Sequence, residues 1–195
     1  MRTTVTVGAL AWGRRPASYR APVLWADPGS VRLGQALAAR VSEVTRLTAA
    51  ATVAPGLIEL TSPRFAKQIR DVHTLTSRAI ARFLITGQGT TEIERNFISR
   101  VGIFAARYGL SLAILSRSYA AWRDANLRVL NEEINRLAIG QTVSNVARKI
   151  IRSSADSGLK RMTRAYEYQL RLAAPLEARP KLVGCCQGHR DACQD

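Results

Sequence analysis

Cys185, Cys186, His189 and Cys193 place four soft metal ligands within nine residues, enough in number for tetrahedral zinc. Adjacent cysteines do not match the C-x₂-C knuckle of structural zinc sites, and no periodic segment surrounds them. The reading is therefore an oxidisable tail with no metal and no cofactor. His73 is the other histidine and borders an apolar stripe. As a haem ligand it lacks a second histidine in the folded region, so a core-edge or surface position is expected. Glu132 and Glu133 are helix neighbours whose side chains diverge and cannot share a proton. Glu92 and Glu94 fall in a helical first turn, where the helix dipole favours them. No phosphate-binding loop, nucleophile elbow or dinucleotide fingerprint is present, and Gly87-Gln88-Gly89 follows a helical pattern rather than a strand. Catalytic residues are thus none, and the chain reads as non-enzymatic.

The elements around these residues are all helical. The stretch Thr91–Leu137 predicts two long helices joined by a tight turn. The first has Ile93, Phe97, Val101, Phe104 and Tyr108 on one face. Thr91 and Glu94 form a capping box at its start, Gly109 stops it, and Ser111 is placed to cap the second. That second helix carries Leu112, Leu115, Tyr119, Trp122, Leu130, Ile134 and Leu137, and the pair ends at Gly140.

Upstream, Ser30 opens a helix striped by Val31, Leu33, Leu37, Val41, Val44 and Leu47, broken at Pro55-Gly56. Another starts near Ser62, with Pro63 suited to its first position. It buries Phe65, Ile69, Val72, Leu75, Ala79, Ile80 and Phe83, and ends in the loop Thr86–Gly89. A last helix from Thr142 carries Val143, Val146, Ile150, Ile151, Leu159, Met162, Tyr166 and Leu170, and spans on the order of 40 Å. Ser153, Ser154, Asp156, Ser157 and Gly158 interrupt its stripe, which predicts a weak point or kink. It either packs onto the bundle or protrudes towards a second copy or a further domain.

The expected division is a flexible arm at 1–29, a sensor-like helical domain at 30–140, a connecting or dimerisation helix at 141–172 and a disordered tail at 173–195. Trp12 and Trp25 either anchor the arm or belong to a start placed too far upstream. The fold class is all-α, a globin-like or bundle-like set of four to five long helices with Trp122, Tyr119, Phe97, Phe104, Phe83 and Ile134 buried together.

Net charge is +15 over 195 residues, which invites a nucleic-acid partner. Arginine supplies 25 of the 29 basic residues, the mark of GC-rich coding, and the charge is spread along the chain. Arg148, Lys149, Arg152, Lys160, Arg161, Arg164 and Arg171 cluster with Tyr166 and Tyr168 on the last helix. A solvated flank is the favoured reading, and a basic nucleic-acid-binding protein is the alternative. No run approaches the ~20 apolar residues of a membrane span. The short apolar run Val5–Trp12, followed by Arg14-Arg15, is not a secretory leader. A reduced, cytoplasmic protein is expected.

The run from Ala81 to Leu130 resembles the helical N-terminal sensor domain of the stressosome RsbT co-antagonist (RsbRD) type, found also ahead of PucR-type regulators and GGDEF diguanylate cyclases. The residues that carry the resemblance are the turn Ala106-Arg107-Tyr108-Gly109-Leu110-Ser111-Leu112, then Leu115, Arg117, Tyr119, Trp122 and Arg123. It implies a non-catalytic regulatory input domain, usually dimeric, with Gly109, Leu112, Arg117, Tyr119, Trp122 and Arg123 as its signature and core. Ile150, Leu159, Met162 and Tyr166 are the expected interface of a homodimer. The chain departs from the pattern in having no output domain. A truncated or frame-shifted reading after Leu172 accounts for that and for the cysteine-rich end.

Overall fold

The structure is a computed structural model, and it describes residues 27–53 and 63–173. All six elements among them are helices: α1 (Pro28–Ala39), α2 (Val41–Val53), α3 (Pro63–Thr86), α4 (Glu92–Arg107), α5 (Leu112–Arg136) and α6 (Gln141–Ala173). The all-α expectation holds. Trp12, Trp25, Pro55-Gly56 and the four ligands Cys185, Cys186, His189 and Cys193 lie outside the described residues.

The helix caps are local chemistry. Asp27 caps α1, its Oδ1 accepting the Gly29 N–H at 2.7 Å, with Pro28 in the first turn. Ser30 is therefore not the cap. It is fully buried, and its hydroxyl donates to the Leu84 carbonyl at 2.8 Å. The capping box forms as expected: Thr91 Oγ1 accepts the Glu94 N–H, and Glu94 Oε2 accepts the Thr91 N–H. Gly109 takes φ +67°, with its N–H on Ala106 and the Leu110 N–H on Ala105, so α4 closes as expected. Ser111 stands at the cap position of α5, but its side chain makes no capping bond. At the far end of α5 the left-handed residue is Ala138 (φ 49°) and not Gly140. The helix stops at Arg136, earlier than the glycine suggests.

Three larger expectations change. The first helix is two. The chain turns at Arg40, because α1 packs chiefly on α3 while α2 packs on α5, and one straight stripe cannot face both. Leu33, Leu37, Val41 and Val44 are still buried across the break.

The two helices of Thr91–Leu137 are present, but they scarcely touch along their lengths. α4 packs chiefly on α6, and α5 on α2 and α6. The buried face of α4 is correspondingly rotated. It presents Ile98, Val101, Gly102, Ala105 and Ala106, whereas Ile93 is 82% and Tyr108 55% exposed. A Cβ on Gly102 would collide with the Met162 carbonyl, so small residues let the two backbones meet. Phe97, Phe104 and Phe83 flank the core half-buried rather than filling it with Trp122, Tyr119 and Ile134.

The third concerns α6, one helix of 33 residues, roughly 50 Å long. Ser153–Gly158 does not interrupt the helix. Ser154, Ala155 and Gly158 are buried, and a Cβ on Gly158 would stand 2.7 Å from the Tyr119 ring. The small residues form a socket for Tyr119. Val143, Ala147, Ile150, Ile151, Ala155 and Met162 join the same core as α1–α5, so α6 is part of the domain as far as Met162.

Pairings set the directions. Arg82 meets Glu94 and Phe65 stacks on Phe104, so α3 and α4 are antiparallel. Arg148 bonds Asn131 and Gly158 meets Tyr119, so α5 and α6 are antiparallel. Leu84 and Ile139 both reach the first turn of α1, which puts the ends of α3 and α5 together. The last turns of α6 consequently lie at the end of the bundle where α4 closes at Tyr108.

Candidate functional site

Of the signature residues, Tyr119 and Trp122 come together at the centre of the molecule, 2% and 0% exposed. His73 joins them, 2% exposed, so it sits in the core and not at its edge. Its ring stacks on Trp122 (centroids 6.1 Å) and meets Tyr119 edge-on (5.4 Å). One ring nitrogen, Nε2, stands 3.4 Å from the Ser118 hydroxyl. Trp122 Nε1 donates to the His73 carbonyl at 3.1 Å and to Ser77 Oγ at 3.0 Å, which ties α5 to α3. The Asn126 amide donates back to the Trp122 carbonyl at 2.8 Å. Burial holds His73 neutral, pushing its pKa down to about 3. Burial likewise raises the Tyr119 phenol, whose oxygen lies by Thr76 without a well-formed hydrogen bond. With both rings enclosed, the cluster stiffens a core rather than lining an open site.

The other signature residues lie apart from it. Gly109 is exposed at its turn, Leu112 is half-buried against the core and Arg117 is exposed. Arg123 pairs with Asp124 at 2.8 Å, and Asp124 with the charge of Asp156 raises its pKa. Among the expected interface residues, Ile150 (2% exposed) and Met162 (0%) are buried inside their own chain, which corrects that assignment. That part of the α6 stripe is covered by α4 and α5. Leu159 and Tyr166 are half-buried against the same core.

Sequence reasoning did not single out Arg40. Its guanidinium donates to Glu43 (2.7 Å), Glu132 (2.6 Å) and Glu133 (3.0 Å). Arg128 also holds Glu132, and Arg136 holds Glu133 at 2.6 Å. Hydrogen bonds from Arg40 keep Glu43 and Glu132 below the usual carboxylate range, and Arg136 with Arg40 does so for Glu133. Glu94, which burial alone would raise, is held low by the two-pronged Arg82 bond. An arginine at an unbroken stripe's edge is the signal that would have pointed to Arg40.

Beyond Met162, α6 carries no fully buried residue, and Tyr168, Leu170 and Leu172 are 57%, 46% and 47% exposed. Among the described residues no group of three histidine, cysteine or acidic side chains is placed to hold a metal, and no helix is long and apolar enough to cross a membrane. Comparison of the chain with protein-family models, with curated proteins and with solved structures found no match.

Proposed function

We propose that this chain is a non-catalytic, cytoplasmic signal-input module whose output leaves through α6. One observation carries the reading: α6 is core as far as Met162, then continues for eleven residues with aromatic and aliphatic side chains exposed. A helix rooted in a core and apolar past its edge suits transmission to a second copy or to a further domain. The resemblance to RsbT co-antagonist sensor domains supports the same reading, with the last turns of α6, not Ile150 and Met162, as the homodimer contact. Tyr119 in the Gly158 socket is the joint through which a change in the core would reach those turns.

Hydrogen exchange tests this. Gly158→Ala should disturb the socket and change amide protection across 163–173 as well as around Tyr119. Protection there that is indifferent to Gly158→Ala would refute transmission. Leu170→Asp should keep full helicity and lower the mass seen by sedimentation, and a parent already monomeric at high micromolar concentration would remove the dimer.

The alternative, a basic nucleic-acid-binding protein, draws on Arg152, Lys160 and Arg164, all exposed on α6. Duplex binding that survives ~150 mM salt and weakens on reversing those charges would favour it.

A further inference from the structure

The end of the bundle where α6 leaves the core differs chemically from the opposite end. α4 and α6 run parallel, because each is antiparallel to the helix before it and the ends of α3 and α5 lie together. Gly102 faces Met162, so six residues further on Tyr108 and Tyr168 stand at one level. α4 closes there, while α6 runs on to Ala173, about 7 Å further. Phe65 stacks on Phe104 at 5.8 Å and Phe104 on Tyr108 at 4.2 Å. A ladder of rings thus leads from the core to an exposed tyrosine and brings the start of α3 to the same end.

Two properties coincide at this tip. Arg64 and Arg70 of α3, Arg107 of α4, Arg117 of α5, and Arg164 and Arg171 of α6 are all exposed in the turns nearest it. The same stretches, 63–71, 100–119 and 160–173, hold two acids, Asp71 and Glu167, and Asp71 is paired with Lys67. Glu43, Glu94, Glu132 and Glu133 are gathered towards the other end, on Arg40 and Arg82. The second property is apolar exposure on more than one side of α6. Tyr168 and Leu172 lie one turn apart on one side and Leu170 nearly opposite, and all three are exposed. A paired helix covers one side, whereas a fluid apolar medium covers both. A rigid duplex would take the arginines and leave the leucines in water.

We propose that this end of the bundle docks on an anionic lipid surface, with Tyr108, Tyr168, Leu170 and Leu172 among the headgroups and the arginines on the lipid phosphates and carboxylates around them. The overhang of α6 matches the roughly 5–10 Å to which peripheral apolar faces enter a bilayer. Tyrosine suits that boundary, with an apolar ring and a polar tip, and clustered arginines are drawn to the charge of an anionic leaflet. A second copy paired along α6 would cover one side and leave the other to lipid, so docking stands whether or not α6 pairs.

Flotation of the full chain with phosphatidylcholine vesicles, with and without about 30% phosphatidylserine, at ~150 mM salt tests this. Binding is expected on the anionic vesicles and not on phosphatidylcholine alone. Leu170→Asp with Leu172→Asp should weaken it about tenfold or more, and so should Arg107→Gln with Arg171→Gln, all at exposed positions. Tyr108→Ser, which is not on α6, should weaken it without changing the sedimenting mass, which separates docking from pairing. Arg32→Gln, exposed on α1 towards the far end, should leave it unchanged. No binding by the parent, or equal weakening by Arg32→Gln, would overturn the proposal. So would binding indifferent to the leucine and tyrosine substitutions, which is adsorption by charge alone. A lower mass for Leu170→Asp with vesicle binding intact would give the tip to a second copy instead, and a duplex that displaces the vesicles and ignores the leucines would give it to nucleic acid.

Discussion

Arg40 and Arg161 are both partly buried arginines at helix seams, and their surroundings are opposite. Arg40 closes the α1–α2 break through Glu43 of α2 and through Glu132 and Glu133 of α5. Arg161, beside Met162 on the α4–α6 seam, is held below the ordinary arginine range by burial and then by the charges of Arg95 and Arg164. With 29 basic against 14 acidic residues, carboxylates are the scarce partner. The chain sets three of them around the guanidinium at the turn between α1 and α2. Gly102 against Met162 lets α4 and α6 meet backbone to backbone. The lesson is that charge in a strongly basic chain is informative where it is uncompensated, not where it is abundant.

The largest expected effect sets the scale for both regions. Trp122→Ala, in the core between them, should cost about 3–5 kcal/mol in urea unfolding, the usual penalty for truncating a buried aromatic. A variant as stable as the parent would mean that the core does not join the two regions.

Acid separates the two kinds of polar burial. His73 is lowered on folding, so its effect is absent above pH ~6.5, and stability falls as pH drops below that value because only the unfolded chain takes up the proton. The slope should approach 1.4 kcal/mol per pH unit and continue towards pH 3. His73→Gln should flatten the loss between pH 6.5 and 4.5. Glu43, Glu132 and Glu133 are also lowered, so their contribution is present above the ordinary carboxylate value and is lost as pH falls further. Arg40→Met should flatten that lower limb and leave the upper one alone. A single limb removed by either substitution would erase the distinction.

At neutral pH, Arg40→Met should destabilise by about 2 kcal/mol, since Glu133 keeps Arg136 but loses one charge-assisted bond. The smallest effect leans the opposite way. Arg161→Met should be neutral to slightly stabilising at low salt, and any gain should shrink at high salt. Equal signs for the two arginines would break the comparison.

What the sequence by itself determined are features whose partners lie within a few residues. The Thr91–Glu94 box, the Gly109 stop and the Thr86–Gly89 loop are satisfied by local groups, so spacing and residue type suffice to read them. Periodicity also placed Tyr119, Trp122 and Ile134 in the core. Tertiary structure decided whatever depends on which helix lies opposite. It turned the chain at Arg40, because Glu132 and Glu133 wait more than ninety residues away. It drew His73 from edge to centre, because Trp122 and Tyr119 cover its ring. It rotated α4 onto its glycine and alanines, because dispersion and burial reward the closest backbone approach more than the largest side chains. It made a socket of Ser154–Gly158 on α6, where periodicity read a weakness, because a tyrosine thirty-nine residues upstream of Gly158 fills the space that small side chains leave.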